Sequence, residues 1–370
     1  MTSVTAVVLA AGYSSRMSEF KPLAEIGGRP LLERVVAGLH DVGVADVVVV
    51  AGHHADDVLE LVRRLPARAV VNEGYAEGMY SSVRAGIAAA GEEPGKILLL
   101  PVDCGLVRPE TTGRLLRAAE RTPGVVHYPV FEGRRGHPPL VDTALRNTIL
   151  DERPEGGLRE LLAACETEAV EVPVADPAVH LDVDTDDDLR GARSYALGER
   201  VPGAQECEAL LRTRHLPQQV VAHSRVVAEL GERLTLRLNA AGQHLCAPLV
   251  SAGCLLHDVA RTEPHHAEAG AALLAELGFR RVAALVARHL DIDFEPACGV
   301  GEAEVVYLAD KLVAGDAEVT LEERLSRRRA TLAARPEALP FMEARMAAAA
   351  AIEREIERVL TVSRQEASPG

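Results

Sequence analysis

Residues 4–22 read VTAVVLAAGYSSRMSEFKP. The first seven are a nearly continuous apolar run. Such a run predicts a strand covered on both faces, as in a parallel sheet. Small residues follow at Ala11 and Gly12, then the cations Arg16 and Lys21. Small residues let backbone N–H groups approach a triphosphate, and the two cations neutralise its charge. The loop is neither a Walker A sequence nor a G-x-G-x-x-G turn.

The first half alternates between the two periodicities. Strands are expected at 46–50 (DVVVV), 69–72, 96–101 (KILLLP), 124–128 and 169–174, and helices at 31–40 and 81–90. Alternation of this kind implies an α/β, doubly wound, mostly parallel, Rossmann-like sheet. Ligands of such sheets sit beyond the carboxyl ends of the strands. From about residue 206 the strand pattern ends and apolar residues recur at i, i+3, i+4. Helices are expected at 220–238, 248–259, 265–277, 280–290, 303–313 and 340–360, an all-α bundle. The expected organisation is a domain over 1–196, a Gly/Pro linker over 197–205, a second domain over 206–330, and a C-terminal helix and tail over 331–370.

Composition excludes several classes. The net charge of −15 argues against nucleic acid and anionic membrane surfaces as partners, since both demand a basic field. No apolar stretch has the length of a membrane span, and the N-terminus reads as a strand, not a leader. None of Cys104, Cys165, Cys207, Cys246, Cys254 and Cys298 forms a C-x-x-C pair, so a reduced, cytoplasmic protein is expected.

The string Leu9-Ala10-Ala11-Gly12 through Arg16-Met17 to Lys21-Pro22 resembles the nucleotidyltransferases of molybdenum cofactor metabolism, and more narrowly the molybdenum cofactor cytidylyltransferases. Gly78-Met79-Tyr80-Ser81-Ser82-Val83 resembles a segment near the base and ribose. Pro101-Val102-Asp103 resembles the strand end that carries a magnesium-binding Asp. Gly133-Arg134-Arg135-Gly136-His137-Pro138 resembles the loop on the acceptor side, and Asp182-Val183-Asp184-Thr185 the late acidic segment. The resemblance spans residues 3–195. It implies nucleotide binding by Leu9, Ala10, Ala11, Gly12, Gly78, Met79, Ser81 and Ser82, and acceptor binding by Arg135, Gly136 and His137. It further implies Mg2+ on Asp103 and Asp184, with Asp184 preferred to its neighbour Asp182. Arg16 and Lys21 would then stabilise the leaving pyrophosphate. The Ala-Ala-Gly start favours CTP, and the implied acceptor is a phosphate monoester of the molybdopterin type. One departure is Gly105, where the family usually has Pro; it bears on loop shape and not on the metal ligand.

The second half carries His223, His257, Asp258, His266, His289 and Asp310, six metal-ligand residue types spread over five expected helices. Imidazoles with carboxylates suit iron, manganese or magnesium. The H…HD…D order resembles the HD superfamily of metal-dependent phosphohydrolases. The added His266 and His289 resemble its subfamily with two metals. That implies catalytic roles for His257 and Asp258, and phosphate contact by Arg261. His265 is the local rival of His266, and spacing to Gly270 favours His266.

Together these readings give a bifunctional enzyme: Mg-dependent transfer of CMP to a molybdopterin-type acceptor, plus metal-dependent hydrolysis of a nucleotide or phosphoanhydride. Two alternatives accompany it. The acceptor could be a sugar or alcohol phosphate, or the HD half could be a nucleotide-sensing or docking module that passes cofactor to a recipient molybdoenzyme. The long C-terminal helix has two possible uses, homodimerisation or packing on its own domain.

Overall fold

Ala6, Val8 and Ala10 face one side of β1 (Ser3–Ala10), Val7 and Leu9 the other, and all five are buried. Side chains alternate along a strand, so a run that is apolar at every position needs cover on both faces. It has that cover. Leu31, Val35 and Leu39 of α1 (Leu31–Asp41) pack on the first face. Val83 and Ile87 of α3 (Met79–Ala89) pack on the second. A small hairpin of β2 (Glu25–Ile26) and β3 (Arg29–Pro30) leads into α1.

The computed structural model describes residues 3–92, 95–197, 201–332 and 338–366. Two units emerge, Met1–Gly198 and Glu199–Gly370. In the first, β1 pairs in parallel with β4 (Asp46–Ala51) and β6 (Gly95–Pro101), and β4 in parallel with β5 (Arg68–Val71). Ala10 stands opposite Ala51 and Leu9 opposite Pro101. This register brings three carboxyl ends level, and it places Ala11–Gly12 and Asp103 at one edge.

The sheet continues through a strand the sequence did not announce. β9 (Leu140–Asp142) runs antiparallel between β6 and β7 (Val126–Phe131), and β10 (Ala169–Pro173) closes that side parallel to β7. A two-residue strand, β8 (Arg134–Arg135), pairs with the end of β7. The strand expected at 124–128 starts and ends later. Pro129 has no N–H, which argues against a continuing strand, yet its carbonyl accepts from Gly136 N at 2.8 Å and pairing runs on to Phe131. Four helices were not anticipated: α2 (Ala55–Val62), α4 (Pro109–Arg121), α5 (Arg146–Asp151) and α6 (Gly157–Ala163). The unit ends in α7 (Asp186–Leu197).

Within the expected linker, residues 198–200 lie outside the described residues, and α8 (Ala204–Thr213) already begins at Ala204. The second unit is built on α9 (Gln218–Ala240) and α10 (Ala247–Leu256), which pack along each other. Around them lie α11 (His266–Glu276), α12 (Arg280–Arg288) and α13 (Glu302–Lys311). A short hairpin, β11 (Val313–Ala314) with β12 (Ala317–Glu318), leads to α14 (Leu321–Leu332), a helix the sequence reading missed. Finally, α15 (Leu339–Glu366) packs on α9, α13 and α14 of its own unit, burying Ala349, Ile352 and Ile356. No helix among the described residues is long and apolar enough to cross a membrane.

Candidate functional site

In the first unit a cleft of about 350 Å3 opens where β1 and β6 end. Leu9, Ala10, Ala11 and Gly12 form one side and Gly78, Met79 and Ser82 another. Gly78 has φ of +101°, a conformation that strains any residue with a Cβ. It turns the chain into the N-terminus of α3, whose free N–H groups suit an anion. Ser81 does not line the cleft. Its hydroxyl lies 2.9 Å from the Gly74 carbonyl, and both Ser81 and Ser82 accept hydrogen bonds from Asn72 Nδ2, at 2.8 and 3.0 Å. In the sequence Asn72 reads only as the end of a strand. Tyr13 and Tyr75 also line the cleft, with ring centroids 5.3 Å apart, and nothing in residue spacing marks them.

Arg16, Lys21, Asp103 and Asp184 bring charge to the same cleft. Lys21 Nζ donates to Asp184 Oδ1 at 2.8 Å and to Asp103 Oδ2 at 3.1 Å, and an Arg16 guanidinium nitrogen lies 2.8 Å from Asp184 Oδ2. Burial would lower the Lys21 ammonium, but Asp103 and Asp184 outweigh it and hold it above its ordinary value. Lys21 and Arg16 in turn hold Asp184 below the usual carboxylate range.

Asp182 is differently placed. Its carboxylate lies against Cys104 Sγ at 3.7 Å and is absent from the cleft lining. Asp103, Cys104 and Asp182 offer three atoms within 4.8 Å of one another. Burial, with both carboxylates adding to it, pushes the Cys104 thiol well up, and a protonated thiol is a poor ligand for a hard cation. Asp103 and Asp184 face each other across the Lys21 ammonium.

None of the expected acceptor-loop residues Arg135, Gly136 and His137 lines the cleft. Arg135 is tied to Glu166 by two hydrogen bonds of 2.7 Å and to Glu171 at 2.9 Å, with its guanidinium over the Tyr128 ring. Gly136 packs under Val179, and His137 N donates to the Val179 carbonyl at 2.9 Å. The exposed His137 side chain acts electrostatically on Asp182. At the departure from the family pattern, a Cβ on Gly105 would stand 2.4 Å from Leu31 Cδ1. Here α1 occupies the space that a larger residue would take.

In the second unit all six candidate ligands converge. His223 comes from α9, Asp310 from α13 and His266 from the first turn of α11; His257, Asp258 and His289 sit at or just past the carboxyl ends of α10 and α12. Helix carboxyl ends carry partial negative charge, which suits a cation. Two groups of ligand atoms each lie within 4.8 Å: His223, His257 and Asp258; and Asp258, His266 and His289. Asp258 belongs to both. Its Oδ1 lies 3.2 Å from His266 Nε2 and 3.6 Å from His289 Nε2, and its Oδ2 lies 3.6 Å from His257 Nε2. His265, the rival of His266, is exposed at the turn before the helix.

The imidazoles are prepared as ligands. His257 Nδ1 contacts the Cys254 carbonyl and His289 Nδ1 the Val286 carbonyl, each at 2.7 Å and each three residues back. A carbonyl accepts only from N–H, so the lone pair is left on Nε2. Both Nε2 atoms are buried without a hydrogen-bond partner, a costly condition that a metal would relieve. Burial pushes His257 down to about 4, so this ring is neutral at pH 7. Against burial, Lys311 and His223 hold Asp310 well below the carboxylate range, and His266 and His289 do the same for Asp258. The residues present fit one or two divalent metals.

Arg261 stands beside the centre, 3.0 Å from His266 Nε2 and 3.7 Å from Asp258 Oδ1. Three cations were missed. Lys311 Nζ lies 2.6 Å from Asp310 Oδ2 and donates to the His289 carbonyl at 2.9 Å; Arg324 donates to the Asp310 carbonyl at 2.7 Å; Arg345 pairs with Asp291 at 2.6 Å. Lys311 ends the string Leu308-Ala309-Asp310-Lys311, directly after a candidate ligand, and that place in the string was its signal.

Two family descriptions match the sequence: MobA-like NTP transferase domain over residues 6–170 and HD domain over residues 220–315. Nicotine blue oxidoreductase of Paenarthrobacter nicotinovorans is 35% identical over 154 residues, 40% of this chain and 74% of that protein. The bifunctional IPC transferase and DIPP synthase of Rubrobacter xylanophilus is 40% identical over 120 residues, 31% of this chain. That match spans only 27% of the relative's length. Among solved structures, a nucleotidyl transferase from Methanothermobacter thermautotroptrophicus aligns with a TM-score of 0.45 and 26% identity, covering 52% of this chain and 97% of that one.

Proposed function

Because the chain belongs to the MobA-like NTP transferase family through residues 6–170 and carries an HD domain at residues 220–315, we propose a bifunctional enzyme with two phosphoryl-handling sites. The first transfers a nucleotidyl group, CMP from CTP, to a phosphate monoester of the molybdopterin type. The second hydrolyses a nucleotide or related phosphoanhydride.

The observation that carries the first activity is the Lys21 ammonium held between Asp103 and Asp184 in the cleft lined by Ala11 and Gly12. The α-phosphate would lie at the small residues Ala11 and Gly12, and the terminal phosphates beside Arg16 and Lys21. An acceptor phosphate oxygen attacks the α-phosphorus; the bond from that phosphorus to the β-bridging oxygen breaks, and pyrophosphate leaves with the electron pair. Lys21 and Arg16 offset the charge that builds on the leaving group. Magnesium, held by Asp103 and Asp184, would supply further charge neutralisation at the phosphates.

The second activity is supported by the buried, unpartnered Nε2 atoms of His257 and His289 facing shared Asp258. The metals, whether iron, manganese or magnesium, would activate water and polarise phosphorus–oxygen bonds. Water adds across one P–O–P linkage, giving two phosphates and releasing a proton. Arg261 is placed to hold a phosphate beside the centre.

A second reading of the acceptor has an observation in its favour. Arg135 is engaged with Glu166 and Glu171, which weakens the case for a pterin phosphate and leaves a sugar or alcohol phosphate open. The deciding experiment incubates the full chain with CTP, Mg2+ and either molybdopterin or a panel of sugar and alcohol phosphates. A cytosine dinucleotide of molybdopterin, absent with Lys21→Met, is the expected product. Pyrophosphate release with a panel member alone would replace the acceptor, and no release with any acceptor would end the transferase reading.

A further inference from the structure

The cavity of about 780 Å3 over the histidine–aspartate centre is walled partly by elements that lie beyond residues 220–315. From α14 come Arg324, Arg327, Arg328 and Thr331, and from α15 Phe341 and Met342. The α14 positions are spaced i, i+3, i+4, i+7, so they share one helix face. Like charges stacked on one face repel one another. Arg324 is committed, 3.5 Å from Asp310 Oδ1 and donating to the Asp310 carbonyl. Arg327 and Arg328 are exposed on the cavity wall; Glu323 lies within electrostatic range of Arg327, and neither arginine makes a direct ion pair with a carboxylate among the described residues. With Arg261 they surround the mouth of one cavity with positive charge, in a chain whose net charge is −15.

The neighbouring helix α15, which packs on α14, adds Phe341, Met342 and Met346 to the lining, together with Arg345. Phe341 is 72% exposed although it lines the cavity, and Met342 lies beside it. An exposed aromatic ring beside a row of guanidinium groups suits a ligand that has a flat ring at one end and several negative charges at the other. A monophosphate reaching the metal ligands would leave Arg327 and Arg328 unmatched, whereas a phosphate chain would engage them.

We infer that the α14–α15 wall is a recognition site for nucleotides carrying two or more linked phosphates. Arg327 and Arg328 take the phosphates away from the metal centre, and Phe341 with Met342 takes the face of the base. That such a nucleotide is also cleaved rests on the hydrolase reading above; its recognition does not.

The chain has no Trp, so Phe341→Trp in the full-length protein gives a single reporter inside this cavity. The metal-free variant is titrated with ATP, ADP, AMP and inorganic tripolyphosphate while its fluorescence is followed. Saturable quenching by ATP and ADP is expected, with AMP about tenfold weaker or worse. Adding Arg327→Gln and Arg328→Gln should weaken ATP about tenfold or more, the loss of charge-assisted hydrogen bonds. Tripolyphosphate should compete with ATP without quenching by stacking. Equal affinities for AMP and ATP, an ATP affinity indifferent to the arginine substitutions, or no response to any nucleotide would each overturn the assignment. A separate assay follows turnover of ATP by the manganese-loaded wild type. Quenching without turnover would sink the hydrolase reading and keep the recognition site; turnover without quenching would do the reverse.

Discussion

Lys21 Nζ lies 2.8 Å from Asp184 Oδ1, across 163 positions of sequence. The contact joins the loop after the first strand to the acidic segment before α7, and the same ammonium reaches Asp103. Replacing Lys21 by Met leaves two carboxylates facing each other and, on the transferase reading proposed above, removes the cation that offsets charge on the leaving pyrophosphate. Removal of one such electrostatic contact typically costs about 10²–10³ in rate. The Lys21→Met variant should therefore lose most of its kcat for pyrophosphate release. A change confined to KM would show that Lys21 only binds substrate.

Asp258 belongs to both ligand groups of the second unit, while His266 belongs to one. Metal content after manganese loading and desalting should separate the two. We expect two ions in the second unit of the wild type, one in His266→Ala and none in Asp258→Ala. Manganese should raise the Tm of the wild type, since a ligand that binds only the folded state stabilises it. Chelator should reverse the rise, and Asp258→Ala should show none. Equal metal content in the two variants would remove Asp258 from its shared position.

Gly105 packs against Leu31, so adding one methyl group overfills the contact. Gly105→Ala should destabilise the first unit by about 1–3 kcal/mol, read from urea unfolding. Leu31→Ala made in the same chain should recover part of that loss. A neutral Gly105→Ala would mean that α1 shifts freely at this point.

His127 is fully buried in β7, with Nε2 donating to the Thr122 carbonyl at 2.9 Å and Nδ1 without a partner. Burial holds its pKa below the ordinary 6.5, and nearby Lys96 adds to that. The unfolded chain therefore takes up a proton near 6.5 that the folded chain refuses. The His127 contribution to stability is constant above that value and is lost as pH falls below it. Urea midpoints between pH 7.5 and 5 should fall less steeply in His127→Gln than in the wild type. Parallel slopes would contradict this.

Much of this was written in local pattern. The 4–10 run marked a strand with cover on both faces because period-2 side chains leave no solvent face to read. The six candidate metal ligands were visible because each is a ligand-type residue on an expected helix, and the fold brings all six together. Other features are set by partners far away in sequence. β9 is three residues long, too short for any period, and owes its place to β6 and β7. Nothing near Arg135 announces Glu166 and Glu171 as its partners. The arginines of α14 look like a solvated charged face, and only the cavity beside them gives that face another meaning. Asn72 holds Ser81 and Ser82 from the end of a strand, a contact ten residues or fewer away that spacing alone does not reveal.

If one chain holds two independent phosphoryl-handling sites, single substitutions separate them. Full-length wild type, Lys21→Met and His257→Ala are each assayed for acceptor-dependent pyrophosphate release from CTP with magnesium, and for manganese-dependent cleavage of ATP. Lys21→Met should lose the first activity and keep the second, and His257→Ala should keep the first and lose the second. Loss of both activities in either variant, or survival of the ATP cleavage in His257→Ala, would contradict the two-site account.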